Sequence, residues 1–163
     1  MQKLLFLLIG IYFFSCNPSS QLSSEKEEHS KLGLRVIIGE KYKPGDNVVF
    51  ILENNSDTLR YLLEPSRLQI QRKIDTLWYD LRIQHCPCGA SCAPPHYIPM
   101  KPFQQMDLSW NQKESWCEGG YEPGNDKSAY VRRGTYRFII TVNDSPEKEQ
   151  ADDEYIYAEF KIL

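Results

Sequence analysis

Beyond residue 31 the apolar positions recur with a period of two, and no stretch sustains the 3.6-residue period of an amphipathic helix. Leu34, Val36 and Ile38 fall on one face of a first strand. Val48, Phe50 and Leu52 alternate with Val49 and Ile51, which predicts a strand buried on both faces. Leu59, Tyr61 and Leu63 predict the next, and Leu68, Ile70 and Ile74 another, with Arg67, Gln69, Gln71 and Lys73 outward. A turn near Asp75 leads to Leu77, Tyr79, Leu81 and Ile83. Met106, Leu108 and Trp110 follow, then Tyr136, Phe138, Ile140 and Val142, opposed by Arg137 and Thr141. Ile156, Ala158, Phe160 and Ile162 alternate with polar and tyrosine positions in the last strand. Turn-tolerant residues separate these runs: Pro44-Gly45-Asp46, Asn54-Asn55-Ser56-Asp57, Glu64-Pro65-Ser66, Arg133-Gly134 and Asn143-Asp144-Ser145-Pro146. Seven or eight short strands punctuated in this way predict an all-β domain over residues 32–163, an antiparallel β-sandwich with one core.

The start of the chain follows other rules. Lys3 precedes an apolar run from Leu4 to Phe14, which ends at Ser15 and Cys16. A basic start, a short apolar core and a small residue at the cut make a secretory signal. A bilayer span takes about 20 residues, more than this run offers. Phe14-Ser15-Cys16 resembles the lipobox of bacterial lipoproteins, with Phe13 where that family usually has Leu. The resemblance implies removal of residues 1–15 as a signal peptide and diacylation of the Cys16 thiol. Cleavage would leave 163 − 15 = 148 residues, and loss of Lys3 would move the formal net charge from −3 to −4. A mildly acidic chain without clustered Lys and Arg is not expected to bind nucleic acid. Residues 17–31, rich in Ser and charge, read as a flexible tether spanning about 20 Å. Since no Asp follows Cys16, analogy with known sorting signals points to the outer membrane of the cell envelope.

A second resemblance lies in the domain. Tyr42-Lys43-Pro44-Gly45-Asp46-Asn47-Val48-Val49-Phe50, then Glu53-Asn54-Asn55-Ser56, and later Arg133-Gly134-Thr135-Tyr136-Arg137-Phe138 resemble bacterial immunoglobulin-like lipoprotein domains. They are also similar to the BsuPI-type proteinase-inhibitor domain. The resemblance implies an immunoglobulin-like sandwich and raises protease inhibition as one reading of function. The cysteine loop lies outside the inhibitor pattern, so no inhibitory residues carry over. Gly134-Thr135-Tyr136 resembles a tyrosine corner, in which the phenol bonds nearby backbone.

The unusual segment is His85-Cys86-Pro87-Cys88-Gly89-Ala90-Ser91-Cys92-Ala93-Pro94-Pro95-His96, with Cys117 alone in a later loop. With Cys16 acylated, four cysteines remain, an even number suited to an oxidising compartment. A Cys86–Cys88 bridge would close a very small ring. Cys117 is therefore expected to pair with Cys86 or Cys88, and Cys92 with the other, tying two long loops together. The competing reading is a copper or zinc site, because His85, Cys86, Cys88, Cys92, His96 and Met100, with Met106 behind, are soft ligands. Their spacing matches no paired Cys-x2-Cys zinc knuckle, and thiolates outside the cytoplasm must be kept reduced. A variant of that reading keeps both disulfides and uses His85, His96 and Met100 alone.

No nucleophile motif or Gly-rich phosphate loop occurs, and Glu53, Glu64, Glu114, Glu118 and Glu122 are scattered along the chain. A non-enzyme without a cofactor is expected. Trp110, Trp116 and Tyr121 cluster near Cys117. Loop aromatics at the end of a sandwich are common binding anchors, although a Trp can also pack on a neighbouring disulfide. The expectation is a binding or structural module that contacts an envelope protein through loops 85–104 and 112–133.

Overall fold

A computed structural model describes residues 24–147 and 153–163. The expected signal peptide, the Cys16 anchor and residues 17–23 of the tether lie outside these residues. The described chain is all-β, and the eight strands expected from the pattern are present. They are β2 (Leu34–Gly39), β4 (Val48–Asn54), β5 (Arg60–Leu63), β6 (Gln69–Ile74), β7 (Leu77–Asp80), β9 (Gln105–Trp110), β12 (Gly134–Asn143) and β13 (Glu154–Ile162). Five more accompany them: β1 (Glu25–His29), β3 (Lys41–Tyr42), β8 (Tyr97–Met100), β10 (Lys113–Cys117) and β11 (Asp126–Tyr130).

One sheet has the order β1-β2-β4-β9 and is antiparallel throughout. The second is built on β12, which pairs with β13 along one side. On its other side β12 pairs with β6 near its start and with β5 near its end. β7 and β8 extend those two arms, and β3 adds to β13 as the one parallel pair described. β10 and β11 form a separate hairpin.

The core between the sheets holds Val36, Ile38, Phe50 and Leu52 from the first, against Phe138, Ile140, Ile156 and Phe160 from the second. Its centre is aromatic. The Phe50 and Phe138 rings lie 4.1 Å apart between centroids, Phe138 and Phe160 5.1 Å, and Tyr136 and Phe160 5.9 Å. Such ring pairs add about 0.5–1.5 kcal/mol each beyond the area they bury. Tyr136 donates its hydroxyl to the Arg132 carbonyl four residues upstream, as the tyrosine-corner reading expects.

Several expectations need correction. Residues 25–29, read as part of a tether, pair with β2 as an edge strand. Main-chain ladder bonds require no apolar side chains, and a charged edge discourages pairing with other chains. Val49 is exposed, so β4 buries only the Val48, Phe50 and Leu52 face. In β5 the phase is inverted: Leu62 is in the core while Leu59 is exposed, because the run Leu59-Arg60-Tyr61-Leu62-Leu63 has apolar residues in both parities. Ile74, Leu77 and Tyr79 are exposed at the β6–β7 tip, where no second sheet covers them.

Two buried polar side chains organise the loops. Asn54 donates to the Thr58, Met100 and Lys101 carbonyls and accepts from the Ser56 amide. Gln112, with a positive φ of 58°, donates to the Lys43 carbonyl at 2.8 Å and accepts from the Gly45 amide at 2.9 Å. Gln112 thereby fixes the start of the β10–β11 hairpin against the Pro44-Gly45-Asp46 turn.

Candidate binding cleft between the cysteine loop and the hairpin

The cysteines pair as Cys86–Cys92 and Cys88–Cys117, one of the two arrangements that the spacing allows. Cys88–Cys117 joins the loop to β10. Hydrogen bonds reinforce the join. The Ser115 amide donates to the Arg82 carbonyl, and the Gln84 amide donates to the Ser115 hydroxyl, both at 2.8 Å. Asp126 on β11 accepts from the Cys88 amide at 2.9 Å and from the Gln84 side-chain amide at 2.6 Å. These two donors, the Cys88 amide foremost, hold the Asp126 carboxyl below its ordinary pKa. Gly89 has a positive φ of 78°, and a Cβ there would meet the Pro123 ring at 2.6 Å. The loop and the hairpin tip thus touch at a position only glycine can occupy without displacement.

Between them lies an open cleft of about 440 Å³, walled on one side by Ile83, His85, Cys86 and Pro87 and on the other by Trp116, Cys117 and Tyr121. The Arg82 guanidinium sits over the Trp116 ring at 4.3 Å from its centroid. Tyr121 is 85% exposed. His85 titrates below its ordinary value, chiefly through burial and then through the positive charge of Arg67. At neutral pH its imidazole is therefore neutral. Further along, the Arg67 guanidinium lies 2.8 Å from the Glu64 carboxylate and donates to the Ala93 carbonyl, pinning the loop to the turn after β5. The loop re-enters the sheet at Tyr97, whose phenol donates to Asp153 at 2.6 Å. Burial and that carboxylate push the phenol up to about 12.

The aromatic expectation divides. Trp116 and Tyr121 share the cleft. Trp110 does not: it is 4% exposed and packs in the core against Tyr136, Phe138 and Phe160, so it is no surface anchor. Its β9 parity points it inward, and its indole N–H is satisfied by the Lys113 carbonyl. The soft-ligand set is also dispersed. All four cysteines are bonded to each other, and Met100 is wholly buried in the core. His96 faces Glu64 at 3.5 Å, and among the described residues no three His, Cys, Asp or Glu side chains converge. Met100 leaves the ligand set because a thioether with no exposed surface cannot be reached by an ion in the loop. Sequence reasoning missed Gly89, Gln112 and Asp126. A glycine between two cysteines signals the first, while nothing local signals the other two.

No family model and no curated protein matches the chain. Among solved structures, a β-glucosidase from Listeria innocua in complex with gluconolactone is similar over 86% of this chain, at 8% identity and a TM-score of 0.31. This chain spans 16% of that enzyme's length. A likeness of that degree carries no argument about activity; the chain is an all-β sandwich with a disulfide-stapled loop and hairpin.

Proposed function

We propose that this chain is a lipid-anchored, non-catalytic lipoprotein of the cell envelope that binds another envelope protein through the cleft between loop 85–96 and the β10–β11 hairpin. The observation that carries the reading is the placement of Trp116 and Tyr121 together along one wall of a cleft whose two sides are joined covalently by Cys88–Cys117. Aromatic rings held on a rigid frame bind with little loss of side-chain freedom, which is how interface anchors gain affinity. The anchor rests on the lipobox-like Phe14-Ser15-Cys16, and outer-membrane placement on the residue after Cys16.

The test is site-specific photocrosslinking in cells that express the full chain. A photoreactive phenylalanine analogue at Tyr121 should give a discrete adduct that weakens at least several-fold when Trp116→Ala is added, whereas the analogue at Leu77 should not give it. An adduct pattern identical at both positions and indifferent to Trp116 would contradict the reading. For the anchor, Cys16→Ser should abolish the acyl mass and move the protein from the membrane fraction to the soluble one.

A further inference from the structure

The two disulfides occupy different environments, and the difference is chemical. Cys88 is 4% exposed, its amide is held by Asp126, its sulfur accepts from the Gln84 side chain at 3.3 Å, and the Pro123 ring lies against the adjacent Gly89. The partner bridge lies in the open. Cys92 is exposed, as are its neighbours from Gly89 to His96, and Cys86 lines the cleft wall. Within the ring closed by Cys86 and Cys92, one main-chain hydrogen bond is described, from Ala90 to Pro87. Thiol–disulfide exchange requires a thiolate to approach one sulfur along the S–S axis, so access decides which bridge reacts.

We propose that Cys86–Cys92 is an exchangeable disulfide, opened by an incoming dithiol, while Cys88–Cys117 remains closed as the permanent staple. One thiolate of the dithiol attacks the exposed Cys92 sulfur. The S–S bond breaks, a mixed disulfide forms, and Cys86 leaves as a thiolate that takes a proton from water. The second thiolate of the dithiol then attacks its own sulfur in the mixed disulfide and releases Cys92. The dithiol departs as a disulfide, its two electrons now held by Cys86 and Cys92 as thiols. Opening frees residues 87–91 of one of their two cross-links, while Cys88–Cys117 and the hydrogen bonds to Asp126 keep the loop on the hairpin. The inference concerns the chemistry of the bridge and does not depend on a protein partner occupying the cleft.

Dithiothreitol is a sufficient probe. The folded full chain, without denaturant, is equilibrated with graded dithiothreitol, alkylated, and mapped by peptide mass spectrometry. Cys86 and Cys92 should be alkylated together at a dithiothreitol concentration at least about tenfold below that needed for Cys88 and Cys117. Opening of Cys88–Cys117 at the same or a lower concentration would overturn the proposal. So would resistance of Cys86–Cys92 until the protein is unfolded.

Discussion

Phe138 in the sandwich core packs tilted against Phe50, stacks on Phe160 and meets Trp110 edge to face, and solvent reaches almost none of it. Cys88, on the loop beside the cleft, is also buried, yet what surrounds it is a disulfide, a carboxylate, an amide and a proline ring. The two regions are held in place by different routes. The core is held by apolar area and ring packing, which many residues share. The cleft end is held by one covalent bond and a few directed contacts, each of which matters singly. An open cleft leaves its aromatics outside the core, so its frame is held by the bridge and the directed contacts instead. Trp110 and Trp116, six residues apart, illustrate the division: the first belongs wholly to the core and the second to the cleft wall.

Substitutions on the two sides should therefore differ in reach as well as in size. Phe138→Ala removes a ring from the packed centre and should destabilise the whole domain by about 3–5 kcal/mol, read from urea midpoints, with amide exchange accelerated across both sheets. Replacing Cys88 and Cys117 together with Ala should cost about 2–4 kcal/mol. Its additional exchange should be concentrated at the amides of positions 84, 88 and 115, with the β12–β13 ladder protected relative to the global free energy. Gly89→Ala forces a left-handed backbone on a side chain that meets Pro123, and should cost about 1–3 kcal/mol with the same local pattern. Equal acceleration over both regions in either cleft variant would break the comparison.

The smallest effect concerns pH. Asp126 is depressed in the folded state by the Cys88 and Gln84 donors, so the stabilisation it brings is fully present above its unfolded value of about 3.9. That contribution is lost as pH falls through the lower, folded value. Protection of the Cys88 amide, followed by NMR, should therefore decline on acidification below that range while core amides hold. In Asp126→Asn this acid sensitivity should vanish. An unchanged acid profile in the variant would remove Asp126 from the account of the cleft.

The core was legible because the period of two survives wherever one face of a strand is buried, and Leu34, Val36, Ile38, Phe138, Ile140 and Phe160 all follow it. The phase of β5 was not, since Leu59, Leu62 and Leu63 satisfy either face until pairing of Leu62 with Val142 and Ile98 decides. β1, β3, β8, β10 and β11 were missed for a related reason. They carry charge, a proline or no buried face, and are created by main-chain partners rather than by apolar side chains. The pairing of the four sulfurs was readable to within two alternatives. The cleft was legible only as two loops tied by a bridge, because the hydrogen bonds of Ser115, Gln84 and Asp126 that also set the hairpin against the cysteine loop link residues 31 to 42 apart in the chain.

The account depends most on four oxidised sulfurs, one bridge closing the loop on itself and the other fastening it to the β10–β11 hairpin. Protein taken from the native envelope, alkylated without reduction and mapped by peptide mass spectrometry, tests this directly. The prediction is Cys86–Cys92 and Cys88–Cys117 cross-linked peptides, no alkylated cysteine from the domain, and an acylated Cys16 at the new N-terminus. Four free, alkylatable thiols accompanied by a stoichiometric metal ion would contradict it.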